Sequence, residues 1–384
     1  MDRSILKNEI NSNNSKGKSV VKKAMILCLV FICAAVATMS GCTKKVRKTP
    51  FEWVEKAELG SETTVQDLDP QYNGRCFNEG DVFYFSFSNS GITFGFKGTS
   101  LELEFLSEGD YVAVYIDDDE QRLVIAKNDS YMKIAEGLAA DTIHEVTISR
   151  RSEGNGQGGF SRIKHIKISD GGTFYTKSYE RPRKRIDVLG DSITCGWGNL
   201  YDPAKPDATV AEMEDGTKTF ATMLADHYDA DLTNVSISGI GVGVETNSPY
   251  PLLPVYKIDG PNRPHDFTKN VPDLVIIELG TNDASCGNTG DVFIEHAKEY
   301  ITFLRSVYPE VPIVWYYGIM GESLKPEIET VIKSFTDAGD KNLYAFFTAS
   351  NPEEKAGGAG HPSLETHIRM AEELRKFLDK NVRW

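Results

Sequence analysis

A serine stands where a buried strand gives way to a turn. The apolar run IDVLG begins at Ile186 and leads directly into GDSITCGWG, which places Ser192 on the turn after the strand. In open parallel sheets, ligands bind at the carboxyl ends of the strands. A serine hydroxyl at such an edge is a candidate nucleophile if a base lies close enough to take its proton.

Two further turns could supply hydrogen-bond donors to the same place. SGIGVG, with Gly239 and Gly241, follows the strand candidate NVSIS, and GTND, with Asn282, follows LVIIELG. Backbone N–H groups of glycine turns and an asparagine amide can stabilise the negative charge that develops on a carbonyl oxygen. The three turns are therefore predicted to converge on one acyl-transfer pocket.

The candidate base is chosen by its position. Of the seven histidines, His361 lies in a glycine-rich loop, GGAGHP, between the fifth strand candidate and the last helix. The other six fall on predicted strands or helices or, for His265, in a different loop. Pro362 restricts the backbone of His361 to extended geometry. His361 is therefore predicted to be the general base.

These four blocks, in this order, resemble those of the SGNH or GDSL-type hydrolase superfamily, named after a serine, a glycine, an asparagine and a histidine. The matching residues are Ser192, Gly239, Asn282 and His361, and the resemblance covers residues 186 to 384. A β-sandwich that precedes such a domain, together with the sequence motifs GDSIT.G and HP....H, resembles the family 2 carbohydrate esterases. Those are acetyl esterases of plant polysaccharides such as xylan and glucomannan.

The resemblance implies a serine esterase mechanism that needs no metal or cofactor. Ser192 Oγ would attack the ester carbonyl, His361 would carry the proton to the leaving sugar oxygen, and water would hydrolyse acetyl-Ser192. The oxyanion would be held by the backbone N–H groups of Ser192 and Gly239 and by the Asn282 side chain.

One position departs from many members of that superfamily. An aspartate three residues before the histidine usually orients the imidazole, but this chain has Gly358 there. A backbone carbonyl could replace it, a carboxylate could come from elsewhere, or His361 could be poorly oriented. We expect a carbonyl and a Ser192–His361 dyad, with Glu353 and Glu354 exposed on a polar loop.

Several other side chains lie near these blocks. Trp197 could form a platform for a sugar ring or pack under its loop. Asp191 and Asp283 are expected to make structural hydrogen bonds to nearby backbone, although Asp283 is also a candidate substrate contact. Cys195 and Cys286 could form a disulfide in an exported protein, or they could be two small buried residues.

The elements that must position these residues fall into two regions. From Phe51 to about residue 170, runs with period-two alternation, such as VFYFSFS and YVAVYID, predict an antiparallel jelly-roll-like β-sandwich without helices. From Ile186, apolar strands alternate with helical patterns, which predicts a flavodoxin-like three-layer α/β/α domain with a parallel sheet. The polar segment SYERPRKR separates a sandwich over residues 51–180 from a hydrolase domain over 181–384.

The N-terminal region has the features of an export signal. Lysines precede an apolar run from Ala24 to Ala37 that is too short to span a bilayer, and TMSGC, ending at Cys42, resembles the lipobox of bacterial lipoproteins. Residues 1–41 are therefore predicted to be a signal peptide and 42–50 a tether, with the exported protein anchored to the membrane by lipid on Cys42. An N-terminal helix of the fold is the alternative.

Charge and architecture together narrow the function. A net charge of −14 over 384 residues disfavours a nucleic-acid partner. We predict a carbohydrate O-acetylesterase acting on xylan, glucomannan or their oligosaccharides. The alternatives are a peptidoglycan or capsule O-acetylesterase and a non-catalytic carbohydrate-binding lipoprotein. The long loops 201–217 and 247–267 are expected to decide substrate choice.

Overall fold

The computed structural model describes residues 48–117, 119–128, 131–153, 159–243, 251–260 and 262–384. The predicted signal peptide, Cys42 and most of the tether lie outside these ranges. Within them, no helix is both long and apolar enough to cross a membrane.

Alternating apolar side chains build two antiparallel sheets in the N-terminal region. In Ser100–Phe105, for example, Leu101, Leu103 and Phe105 are buried, and the residues between them are partly exposed. The strands are β1 Phe51–Glu55, β2 Glu62–Thr64, β3 Gln71–Asn73, β4 Cys76–Glu79, β5 Val82–Phe85, β6 Gly91–Lys97, β7 Ser100–Phe105, β8 Tyr111–Ile116, β9 Arg122–Ile125, β10 Met132–Glu136, β11 His144–Arg150, β12 Ser161–Ile168 and β13 Thr173–Tyr179.

The two sheets enclose one apolar core. The first sheet has seven strands in the order β1-β13-β6-β11-β8-β9, with β3 also paired to β6, and the second has six in the order β10-β7-β12-β5-β4, with β2 paired to β12. Phenylalanines from both sheets meet between them. The expectation of a sandwich without helices is wrong at one turn, because Val65–Leu68 forms a short helix, α1, capped by the Thr64 side chain.

Parallel pairing replaces antiparallel pairing after Tyr179. The five parallel strands are β14 Lys184–Gly190, β15 Ala230–Ser236, β18 Leu274–Glu278, β19 Ile313–Tyr317 and β20 Leu343–Phe347, and a small antiparallel hairpin consists of β16 Ile258–Gly260 and β17 Arg263–Pro264. The helices are α2 Ser192–Cys195, α3 Val210–Met213, α4 Phe220–Tyr228, α5 Leu252–Tyr256, α6 Thr281–Ser285, α7 Gly290–Val307, α8 Lys325–Asp337 and α9 Leu364–Asn381. Two 3-10 turns complete this region, at Gly216–Lys218 and Gly358–Gly360.

The parallel sheet is covered on both faces. Its order is β15-β14-β18-β19-β20, so the second strand along the chain lies beside the first and the third lies on the other side. Helices α7 and α8 pack on one face, and α4 and α9 on the other. The crossover direction reverses between β14 and β18, and this is where such sheets bind ligands.

The sandwich and the hydrolase region belong to one compact unit, Arg47–Trp384. Gly216 N–H donates to Arg151 O at 2.7 Å, and the Arg151 guanidinium donates to the carbonyls of Ala211 and Glu212 at 3.1 and 3.0 Å. The second half of the loop 201–217 thus packs against the sandwich. The described part of the other long loop contains α5.

Candidate active site

Ser192 is the first residue of α2 and follows the end of β14 by two positions. Asp191 caps this short helix by accepting a hydrogen bond from Ile193 N–H at 2.9 Å. A Cβ at Gly190 would lie 2.0 Å from Thr194 Oγ1, so the tight turn requires glycine there. The turn presents a largely buried Ser192 at the carboxyl edge of the sheet.

The structure brings His361 to Ser192 although 169 positions separate them. His361 Nε2 lies 2.9 Å from Ser192 Oγ, which is a hydrogen-bond distance. His361 ends the turn Gly358–Gly360, in which Ala359 has a φ of 47°. A left-handed conformation at a residue other than glycine is costly and persists only where the surroundings impose it.

The histidine loop is fastened to the loop that follows the serine. Gly358 N–H donates to Gly198 O at 2.9 Å, and Leu364 N–H donates to Asn199 O at 3.0 Å. Gly198 has a φ of +68°, and a Cβ there would lie 2.7 Å from Gly358 N. Glycine at 198 is therefore needed both for its backbone conformation and for the close approach of the two loops.

Within the described chain, no carboxylate orients the second nitrogen of His361. Its Nδ1 is buried and makes no hydrogen bond of good geometry to any described residue. The backbone of Gly358 and of Ala359 favours the charged imidazole, but burial outweighs this and lowers the pKa of His361. The replacement of the aspartate by a carbonyl stays a prediction.

Position 358 leaves little room for a side chain. A Cβ on Gly358 would lie 3.3 Å from Gly198 Cα and 3.4 Å from both Trp197 and Met213. The indole of Trp197 also packs on the imidazole, with ring centroids 4.4 Å apart. A side chain at 358 would therefore fit tightly against these neighbours.

The two glutamates that precede His361 in its loop do not orient the imidazole. Glu353 is exposed, as expected, but the expectation is wrong for Glu354, which is partly buried. Glu354 accepts hydrogen bonds from Arg369 Nε at 2.6 Å and from Thr366 Oγ1 at 2.9 Å. It therefore anchors α9 to the histidine loop.

Gly239 has the geometry expected of an oxyanion-hole turn. Its φ is +80°, and a Cβ there would meet nothing within 4 Å, so its backbone borders open space. Within the described chain, no acceptor is found for the backbone N–H groups of Gly239 or Ser192. Both donors are thus free to bind a carbonyl oxygen.

Asn282 lies beside the nucleophile, but its amide is engaged. Its Nδ2 donates to Asp191 Oδ2 at 3.1 Å and to Ile240 O at 2.8 Å. An oxyanion would have to compete with one of these acceptors. The structure therefore places Asn282 as predicted and adds a requirement that the amide share or exchange a hydrogen bond.

A buried pair of carboxyl groups lies under this amide. Burial raises the pKa of Asp191 to about 7, and burial together with the charge of Asp191 raises the pKa of Glu278 well above its ordinary value. Glu278 accepts a hydrogen bond from Thr194 Oγ1 at 3.0 Å. Asp191 has the structural role expected of it. Sequence reasoning missed Glu278, although a glutamate ending an apolar strand was a signal.

Asp283 is closed to a substrate, which corrects its prediction as a substrate contact. The side chain is fully buried, and its carboxylate accepts hydrogen bonds from Val242 N, Gly243 N and Asn288 Nδ2, the last at 2.6 Å. These bonds hold the turn after β15 against α6. The expected structural role fits Asp283, because neither oxygen of its carboxylate faces solvent.

The cysteines also differ from one expectation. Cys195 and Cys286 are both free, so they do not form the disulfide considered above. Cys195 is buried with its sulfur 3.3 Å from Ser236 Oγ, while Cys286 is partly exposed rather than buried.

A small cleft opens beside the imidazole. Its volume is about 90 Å³, and its lining includes His361, Gly360, Met320 and Asn351. Trp197, a candidate sugar platform, is partly exposed, packs on the imidazole and does not line this cleft. A larger cavity of about 400 Å³ lies around Arg305 and contains none of the predicted site residues.

Two family matches agree with this geometry. Residues 188–363 match the GDSL-like lipase/acylhydrolase family, and residues 72–177 match the carbohydrate esterase 2 N-terminal family. The chain therefore carries a GDSL-type hydrolase domain behind a carbohydrate esterase 2 N-terminal domain.

Relatives extend the match over both regions. The cellulase/esterase CelE of Acetivibrio thermocellus is 25% identical over 331 residues, which cover 82% of this chain and 39% of that protein. An acetylxylan esterase / glucomannan deacetylase of Cellvibrio japonicus is 24% identical over 360 residues, which cover 85% of this chain and 93% of the relative. The chain thus spans about two fifths of the first relative and most of the second.

A solved structure shares the whole architecture. A family two carbohydrate esterase from Clostridium thermocellum, in complex with cellohexaose, superposes with a TM-score of 0.71 at 26% identity, covering 80% of this chain and 98% of the other. The predicted fold class is confirmed, and the predicted resemblance to the family 2 carbohydrate esterases is confirmed over both regions.

Proposed function

We propose that this protein is a carbohydrate O-acetylesterase that removes acetyl groups from plant polysaccharide or its oligosaccharides. The contact between Ser192 Oγ and His361 Nε2, at 2.9 Å, carries the proposal because it pairs a nucleophile with a base at the edge where the sheet binds ligands. The names of the relatives supply the substrate class, acetylated xylan and glucomannan.

The mechanism follows from the positions of these groups. His361 takes the proton of Ser192 as the hydroxyl attacks the acetyl carbonyl, and the backbone N–H groups of Ser192 and Gly239 stabilise the oxyanion. The imidazolium then gives its proton to the sugar oxygen, which leaves as an alcohol. Water, deprotonated by His361, releases acetate from acetyl-Ser192.

The nucleophile is tested by replacing it. We expect Ser192→Ala to lower kcat for a chromogenic acetate ester by at least about 10⁴-fold, since catalysis in serine hydrolases acts through the coupled pair. Ser306→Ala, on the exposed surface of α7, is the matched control, and circular dichroism checks the fold. Activity retained by Ser192→Ala would remove this residue from the mechanism.

Acetate release from natural polymers tests the substrate. The wild-type chain is offered acetylated xylan, acetylated glucomannan and O-acetylated peptidoglycan at equal acetyl concentration. Faster release from the plant polymers supports the proposal, and faster release from peptidoglycan supports the alternative esterase. Binding of these glycans without acetate release would indicate a non-catalytic binding protein.

We also propose that the chain is exported and anchored by lipid on Cys42. The lysines, the apolar run and the TMSGC segment support this proposal. In a bacterial host given a labelled fatty acid, the wild-type chain should incorporate label, and Cys42→Ser should not. Cys33→Ser, inside the apolar run, is the control that should keep the label; equal labelling of wild type and Cys42→Ser would contradict the anchor.

A further inference from the structure

Three chemically reactive side chains meet where the sandwich contacts the hydrolase region. They are Glu153, which follows β11, Cys195, at the end of α2, and Glu214, which follows α3. One ligand atom from each lies within 4.8 Å of the others. All three side chains are at most 2% exposed, so this cluster, the Glu–Cys–Glu cluster, is sealed from solvent.

Two oxygens of the cluster lack a hydrogen-bond donor. Glu153 Oε2 accepts Ser238 N–H at 2.8 Å, and Glu214 Oε1 accepts Glu153 N–H at 3.0 Å. The other oxygens, Glu153 Oε1 and Glu214 Oε2, are buried without a donor of good geometry among the described residues. Buried carboxylates are normally paired or bound to a cation.

Arg150, which lies nearby, does not pair with the two buried carboxylates. The Arg150 guanidinium donates to Ser152 O at 2.8 Å and to Ser161 Oγ at 2.9 Å, and its closest carboxylate is Asp110 at 3.4 Å. It attracts both glutamates only at longer range. The single positive charge of Arg150 is already paired with Asp110. The cluster is therefore negative when both glutamates are ionised.

A shared proton also fits less well than a cation. No hydrogen bond joins the carboxyl groups of Glu153 and Glu214 within the described chain, as a shared proton would require. Burial raises the pKa of both groups, and the charge of Glu153 raises the pKa of Glu214 further.

We propose that Glu153, Cys195 and Glu214 bind a divalent transition metal of the zinc class as a structural site. A thiolate with two carboxylates suits Zn²⁺. Tetrahedral zinc with ordinary bond lengths places such ligand atoms about 3.5 Å apart, so the cluster would contract modestly around the ion. The Cys195 thiol would lose its proton to solvent as the metal–sulfur bond forms.

The site would link both regions to the catalytic turns without entering the reaction. Cys195 lies three residues after Ser192, and Glu153 holds the N–H of Ser238, the neighbour of Gly239. A metal here would fix the nucleophile turn and the oxyanion turn to the sandwich. This inference is independent of the substrate proposed above.

Metal content and spectroscopy test the site. The full chain is produced in medium containing Zn²⁺ or Co²⁺, freed of loose metal by gel filtration, and analysed by elemental mass spectrometry. We expect about one metal per chain and, with Co²⁺, a sulfur-to-cobalt charge-transfer absorption. Cys195→Ser should abolish that absorption, and Glu214→Gln should weaken metal binding by more than about 100-fold.

A matched cysteine variant makes the result decisive. Cys286→Ser, whose sulfur lies outside the cluster, should retain both the metal and the absorption. Thermal unfolding with and without chelator shows whether the variants fold, and the wild type should lose stability on chelation while a folded Glu214→Gln should not. A metal-free wild type after production in either medium, or equal metal content in wild type and folded Cys195→Ser and Glu214→Gln, would overturn the site.

Discussion

At the scale of single residues, the proposed dyad differs from a triad in the charge that faces the imidazole. An aspartate would stabilise the imidazolium that forms during catalysis, whereas the carbonyls of Gly358 and Ala359 carry only partial charge. Burial therefore prevails and lowers the pKa of His361. The histidine loses basicity, but it stays neutral, and so able to accept a proton, under more acidic conditions.

This predicts the position of the acid limb of activity. Catalysis needs neutral His361, and activity falls as pH drops through its pKa, which lies below the ordinary histidine value of about 6.5. The buried imidazole moves the expected midpoint lower than an exposed histidine would give. A profile of kcat/KM from pH 4 to 8, with fluorescence confirming the fold, measures it. A midpoint above 6.5 would contradict the lowered value.

At the scale of elements, the spacing of apolar residues predicted the helices and strands in which buried residues recur regularly along the chain. Phe293, Ala297 and Leu304 recur at helical spacing and are all buried in α7. Ile368 stands at helical spacing from Ala371 in α9, yet it is 53% exposed. Helix α8 was missed, because only Ile328 and Val331 are buried along it, too narrow a stripe to stand out.

The site was predictable in its residues but not in its supports. Ser192 and His361 meet because each follows the end of a parallel strand, which sequence order shows. The backbone of Gly358 and Ala359 beside His361 and the close approach of Gly198 to Gly358 depend on loop conformations that have no periodic signal. Glu354 pairs with Arg369, 15 positions away, and spacing alone gave no reason to expect this pair.

The glycine contact between loops gives a prediction at this scale. Gly198→Ala should lower kcat/KM by about 10²-fold, because its Cβ would push the histidine loop away from Ser192 and a displacement of about 1 Å can cost that much. Gly287→Ala is the control, since Gly287 also has a positive φ, +80°, but its Cβ would meet nothing within 4 Å. Acetate-ester kinetics on both variants provide the measurement; equal losses would assign the effect to backbone strain alone.

At the scale of the whole molecule, buried polar groups join the sandwich to the hydrolase region. Arg75 contacts the carbonyl of Tyr256 and lies over its ring, 4.3 Å from the centroid. Arg151 faces Asp215, with 3.4 Å between Nε and Oδ2. Such partners are distant in sequence and belong to different regions, so the sequence predicted the two regions but not their dependence on each other.

We therefore expect the two regions to unfold together and Arg151 to be a main contributor. Arg151→Ala would leave the fully buried Asp215 with Lys218 as its remaining cationic partner and would remove two bonds to backbone carbonyls, costing roughly 2–4 kcal/mol. Arg122→Ala, which breaks an exposed ion pair with Asp119 in the same sandwich, should cost at most about 1 kcal/mol. Urea unfolding followed by fluorescence and by circular dichroism measures both. Because the two regions are coupled through buried contacts, fluorescence and circular dichroism should report a single unfolding transition for the wild type. Two separate transitions would show that the regions unfold independently. Equal costs for Arg151→Ala and Arg122→Ala would contradict the special contribution of Arg151.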